Sequence, residues 1–198
     1  MKTAAIIASA FVLSGCAQLA ALNPLRGGAT EVAIPATEAA TQQITIPALG
    51  ARGFVTQSAQ NNGVVTWKTA DNTTFSFRQG VIVSTRGLGD DLMGADVGQT
   101  LAALRGGAGD WGPRVHGYMN PEYQSYFMSF QCRRTATSRD NVQVGNRTVS
   151  ATRTNETCLN DEIQIENTYW RNGNGVMVKS RQWVSPGVGY METERAIR

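Results

Sequence analysis

The chain has 198 residues, 18 Lys+Arg against 15 Asp+Glu, one histidine, and 41% hydrophobic side chains. That length suits one domain, and the composition is that of an ordinary folded chain. A formal charge of +3 without a basic block argues against a nucleic-acid binder. With His116 as the lone histidine, a metal site would need mainly carboxylates, so neither metal nor cofactor is expected.

The first residues read as an address. Lys2 supplies a short positive n-region, and Ala4 to Leu13 form an apolar run of about ten residues. Such a run is too short to span a bilayer. It ends in Leu13-Ser14-Gly15-Cys16, small residues followed by a thiol at the position that bacterial lipoprotein processing acylates. Residues 1–15 are therefore expected to be a signal peptide and Cys16 the lipidated N-terminus, a membrane partner gained through acyl chains at about 0.8 kcal/mol per buried methylene. Ala17, where an aspartate would retain the protein at the inner membrane, favours the periplasmic face of the outer membrane. Removal of Lys2 leaves 17 basic and 15 acidic side chains, a formal +2 before acylation.

Residues 16–43, rich in Ala, Thr and Pro and without sustained periodicity, read as a flexible tether. Residues 44–198 carry short β-branched and aromatic runs between Gly and Asn punctuation, the pattern of an all-β, antiparallel sandwich or open barrel. Strands are expected at Val64 to Lys68, Thr74 to Arg78 and Val81 to Thr85, the first entered through Asn61-Asn62-Gly63. In Tyr126 to Arg133, alternation puts Tyr126, Met128, Phe130 and Cys132 on the core face. Ile163 to Trp170 and Val176 to Val184 form a hairpin turned by Arg171 to Gly175. Leu88 to Met93 and Thr100 to Leu104 have spacings that suit one or two helical turns.

With Cys16 consumed by lipid, Cys132 and Cys158 remain in a compartment where thiol pairs oxidise, which predicts a disulfide between them. Closing that loop should contribute about 3 to 4 kcal/mol in the chain-entropy picture.

His116, between Val115 and Gly117, is read as a structural or exposed strand residue, and not as a triad member. Asp90 and Asp91, with Asp96 and Asp110 nearby, contain the carboxylates that glycoside cleavage uses, but adjacent residues rarely face one another across a sugar. A turn or a helix N-terminus, where an aspartate accepts backbone N–H groups, accounts for them more simply. Gly87-Leu88-Gly89 and Arg105 to Gly109 lack the ending that phosphate cradles require, and read as turns. The Asn-X-Thr sequons at Asn72, Asn146 and Asn155 have no meaning behind a bacterial lipobox. Aromatic faces stack on sugar rings while amides and guanidinium groups bind hydroxyls. Trp67, Trp183 and Tyr190, with Arg181 and Gln182 beside Trp183, are accordingly the candidate glycan or partner contacts.

Two segments carry a family resemblance. One runs from Trp67-Lys68-Thr69-Ala70-Asp71 through Phe75 and Gly80 to Val81-Ile82-Val83-Ser84-Thr85-Arg86-Gly87-Leu88-Gly89-Asp90-Asp91-Leu92. The other runs from Asn167-Thr168-Tyr169-Trp170 to Lys179-Ser180-Arg181-Gln182-Trp183-Val184-Ser185-Pro186. Together they resemble the YjbF/GfcB family of lipoproteins linked to group 4 capsule and exopolysaccharide production. The resemblance implies an antiparallel β lipoprotein of the outer membrane that acts in production or export of a surface polysaccharide, without catalytic residues to carry across. Its partners would be polysaccharide and export-machinery proteins. A glycan-modifying enzyme and a purely structural envelope protein are the alternatives.

Overall fold

The computed structural model describes residues 41–107 and 109–195. The signal segment, the acylation site at Cys16 and almost all of the expected tether lie outside the described residues. The strand β1 (Thr41–Ile46) already occupies the last tether positions. A single turn of 3-10 helix (Pro47–Leu49) leads to β2 (Ala51–Asn61), β3 (Val64–Lys68), β4 (Thr74–Arg78), β5 (Val81–Arg86) and β6 (Asp91–Ala95). One short helix, α1 (Gly98–Leu104), precedes β7 (Gly112–Met119) and the long hairpin β8 (Ser125–Val144) and β9 (Arg147–Leu159). The chain ends in β10 (Gln164–Asn172), β11 (Met177–Ser185) and β12 (Gly189–Arg195).

All twelve strands form one antiparallel sheet in the order β5-β4-β3-β2-β1-β12-β11-β10-β9-β8-β7-β6, curled into a nearly closed barrel. The seam lies between β5 and β6, where side chains stand in for ladder bonds. Thr85 Oγ1 accepts the Leu92 N–H at 3.0 Å and donates to Asp91 at 2.9 Å, and Arg86 Nη1 reaches the Leu92 carbonyl at 3.2 Å. A second tie crosses the interior. Gln182 of β11 accepts the Ile82 N–H at 2.9 Å and donates to the Gly80 carbonyl at 2.9 Å, pinning β5 onto the opposite wall.

Period-2 alternation builds the core. Ile44 and Ile46 of β1, Val55 of β2, Trp67 of β3, Phe75 and Phe77 of β4, Leu92 of β6 and Met191 of β12 all point inward and are buried in one cluster. Phe130, Cys132, Cys158 and Ile165 form a second, and Val142, Val144, Ala151 and Val178 a third at the end of the long hairpin. The β2–β3 turn takes left-handed conformations at both Asn62 (φ 46°) and Gly63 (φ 76°), the geometry that suits strand twist in a two-residue hairpin.

The helical reading of Thr100 to Leu104 falls within α1, whereas that of Leu88 to Met93 is overturned: Asp91 begins β6. Gly87 (φ 93°) and Gly89 (φ 91°) leave helical space, and the Asp91 carboxylate takes the N–H groups of Gly87 and Leu88 that a helix would have paired otherwise. Leu92 then faces the core with no exposure. Cys132 and Cys158 stand directly opposite in the β8–β9 register and are joined by a disulfide.

Candidate functional site

Two polar constructions stand out in the barrel, one closed and one open. The closed one grows from alternation on β7, which places Arg114, His116 and Tyr118 in a row on the interior face. Arg114 is 1% exposed and makes an ion pair with Glu156 of β9 at 3.0 Å. The Glu156 carboxylate also accepts from Thr100 of α1, Asn167 Nδ2 (3.0 Å) and the Tyr169 hydroxyl (2.9 Å) of β10. Four donors on one carboxylate are what a charge far from water requires.

His116 continues the row. Arg114 Nε donates to its Nε2 at 2.8 Å, so Nε2 must be unprotonated and the ring proton sits on Nδ1, 2.7 Å from the Tyr118 oxygen. Burial, reinforced by the adjacent Arg114 charge, holds the imidazole well below the ordinary histidine value. Burial likewise pushes the Tyr118 and Tyr169 hydroxyls up, the latter aided by the neighbouring Glu156 charge. The lone histidine is thus a fully buried structural member, with both ring nitrogens engaged. Arg114, Glu156 and Thr100 were not singled out as site residues by sequence reasoning, and Asn167 and Tyr169 entered it only within a segment that carries the family resemblance. The available signal was an arginine at core parity in Arg114-Val115-His116-Gly117-Tyr118.

The open construction is a groove of about 490 Å³ at the rim of the barrel. Strand alternation explains its lining: Gln42 lies two residues before buried Ile44, Gln57 two beyond Val55, and Arg195 two beyond Thr193, each at core parity where the strand reaches the mouth. Gln60, Gln79, Asn174 and Arg171 complete the polar wall, while Val65, Trp67, Phe77 and Met177 make the floor. The volume falls within the range of small-molecule sites. Gly175 (φ 75°) lets the β10–β11 turn approach the Arg171 side chain, since a Cβ there would lie 2.8 Å from its Nη2.

The sequence-derived contact residues separate in space. Trp67 lines the groove but is only 5% exposed, and Gln182 is wholly interior, spent on β5. Trp183 and Tyr190 are opposed in the β11–β12 register, their rings edge-to-face at 5.3 Å, and the Arg181 guanidinium lies over Tyr190 at 3.5 Å. This trio sits where the β10–β11 ladder lapses beyond Thr168↔Arg181. There, Asn167 Oδ1 accepts the Trp183 N–H and the Tyr190 hydroxyl accepts that of Glu166. Trp183, Tyr190 and Arg181 are all half-buried, so they act in part as a plug for this gap.

Asp90, Asp91 and Asp96 are used internally. Asp90 accepts from the Tyr126 hydroxyl (2.9 Å) and the Gly187 N–H (2.7 Å), Asp91 closes the β5–β6 turn, and Asp96 accepts the Gly98 N–H before α1. The grouping Cys132, Glu156 and Cys158 has metal-ligand atom types in proximity, but both sulfurs are committed to the disulfide. No helix among the described residues is long and apolar enough to cross a membrane.

Residues 25–195 match the profile of the family described as "Group 4 capsule polysaccharide lipoprotein gfcB, YjbF". The chain belongs to the YjbF family. Among solved structures, the lipoprotein YmcC of Escherichia coli K12 is similar at 20% identity and a TM-score of 0.64, over 81% of this chain and 85% of that one. At this identity the likeness shows that the YjbF-family chain shares the YmcC fold. An exported protein of Bacteroides fragilis described as having a YmcC-like fold aligns at 10% identity and a TM-score of 0.31, over 79% of this chain and 92% of that one. No curated protein matches the chain.

Proposed function

We propose that this YjbF-family chain is a non-enzymatic accessory lipoprotein, held by acylated Cys16 at the periplasmic face of the outer membrane. There it supports capsule or exopolysaccharide assembly or export through contacts with glycan or with export proteins. The observation that carries the reading is the family match over residues 25–195. Two further observations support it. The signal-like start ends at Leu13-Ser14-Gly15-Cys16. The barrel's most elaborate polar array, around Arg114 and Glu156, is turned wholly inward, as a scaffold element is, while the open groove offers amides and guanidinium groups suited to binding.

The test is deletion of the gene under conditions that induce the polysaccharide, with surface polymer and intracellular precursor measured separately. The expected result is loss of surface polymer with precursor synthesis intact and restoration by the wild-type gene but not by Cys16→Ser. Unchanged surface polymer, or loss of precursor itself, would remove the reading.

A further inference from the structure

We propose that the groove at the barrel rim binds a stretch of acidic polysaccharide, with Arg171 and Arg195 recognising its carboxylates and the surrounding amides its hydroxyls. This rests on the accessory role above and adds the chemical class of the ligand and the place where it binds.

The charge pattern carries the argument. Two guanidinium groups and five side-chain amides line the groove, and no carboxylate does. Arginine presents a planar donor fork that matches a carboxylate, and an amide offers both donor and acceptor to a hydroxyl. Trp67 is 5% exposed and Phe77 3%, so neither gives a sugar an open ring face on which to stack. Recognition then falls to hydrogen bonds and to the two guanidinium charges, and positive charge with no carboxylate in the lining favours an acidic sugar over a neutral one.

The two cations are held differently. Arg171 donates Nε to the Gly175 carbonyl and Nη1 to the Leu104 carbonyl, bonds that fix its guanidinium at the groove wall. Arg195 ends β12 and is exposed, so its guanidinium can meet a ligand from solvent. One anchored and one solvent-exposed guanidinium thus line the same groove. Gly80 (φ 87°) preserves the groove's shape, because a Cβ there would collide with the Met177 side chain of the floor.

The experiment uses the full acylated chain in detergent micelles, titrated calorimetrically at low ionic strength with hexagalacturonate and, separately, with maltohexaose. The acidic oligomer should bind about tenfold or more tightly than the neutral one, and Arg195→Glu should weaken it by about the same factor. Arg139→Glu, an exposed arginine of β8 outside the groove, should change it by less than about twofold. Equal binding of the two oligomers, absence of acidic binding, or equal weakening by Arg139→Glu would overturn the proposal. Complementation separates it from the broader role: if deletion abolishes surface polymer and Arg195→Glu restores it fully, the groove assignment fails while the accessory role stands.

Discussion

Replacing Glu156 by Gln tests whether the interior of the barrel depends on one negative charge. Gln is nearly isosteric. Its oxygen at the Oε2 position can accept from two of Arg114, Asn167 and Tyr169, and its amide at the Oε1 position can donate to Thr100, whose own hydroxyl proton then loses its acceptor. Most of the hydrogen bonds can therefore be kept while the charge that balances Arg114 is lost. Arg114 is 1% exposed and cannot relax toward water, so removal of its partner should cost about 3 to 5 kcal/mol. With a urea slope near 2 kcal/mol per molar, the midpoint should fall by about 2 M, read from tryptophan fluorescence with the disulfide intact. Arg114→Met alone should cost a similar amount, and the Arg114→Met, Glu156→Gln double variant should cost clearly less than the sum, because neither charge is then left alone. A loss below about 1 kcal/mol for Glu156→Gln, or strict additivity in the double variant, would refute the claim that the pair acts as a unit.

Two further outcomes follow from the same interior. His116 is neutral in the fold and held below its ordinary value, so the unfolded chain binds its proton first as pH falls. Its contribution is complete above about pH 6.5 and is lost on acidification down to the folded value, by up to about 1.4 kcal/mol per pH unit. Urea midpoints between pH 7.5 and 5 should show this slope, and His116→Gln should lack it; an identical slope in the variant would disprove the assignment. Reduction of Cys132–Cys158, which closes a loop with a sequence separation of 26, should lower stability by about 3.5 kcal/mol. Unfolding curves with and without reductant measure this directly, and coincident curves would negate it.

Strand parity was legible wherever hydrophobic and polar residues alternate. Phe75 and Phe77, and the series Tyr126, Met128, Phe130 and Cys132, face inward as their spacing requires. The β2–β3 turn was equally plain in Asn61-Asn62-Gly63. What misled was a run whose spacing suits two structures: Leu88 to Met93 has helical spacing, but glycine conformations and one aspartate decide against it. The buried ion pair was hidden because Arg114 and Glu156 lie 42 positions apart, and each in isolation resembles a surface residue. The rim groove was hidden for a related reason. Gln42, Gln57 and Arg195 continue the core face of their strands past the last apolar residue, a pattern that looks like ordinary fraying until the barrel closes around it. Gln182 was marked for its neighbours, yet a one-residue step on β11 sends it inward and leaves Trp183 at the gap.

The strand order carries a further implication for biogenesis. Sequence neighbours pair throughout both halves, β1 to β5 and β6 to β12, and among the described residues the β1–β12 pairing is the one strand ladder between distant parts of the chain. A polypeptide delivered amino end first can thus zip two meanders locally as it emerges, yet β1 keeps one bare flank until the final strand arrives. The first of the described strands is thus fastened last, by residues Gln42 to Thr45 meeting Glu192 to Arg195. A chain cut short before β12 would leave the free flanks of β1 and β11 as open pairing edges, so the last strand is what completes the sheet.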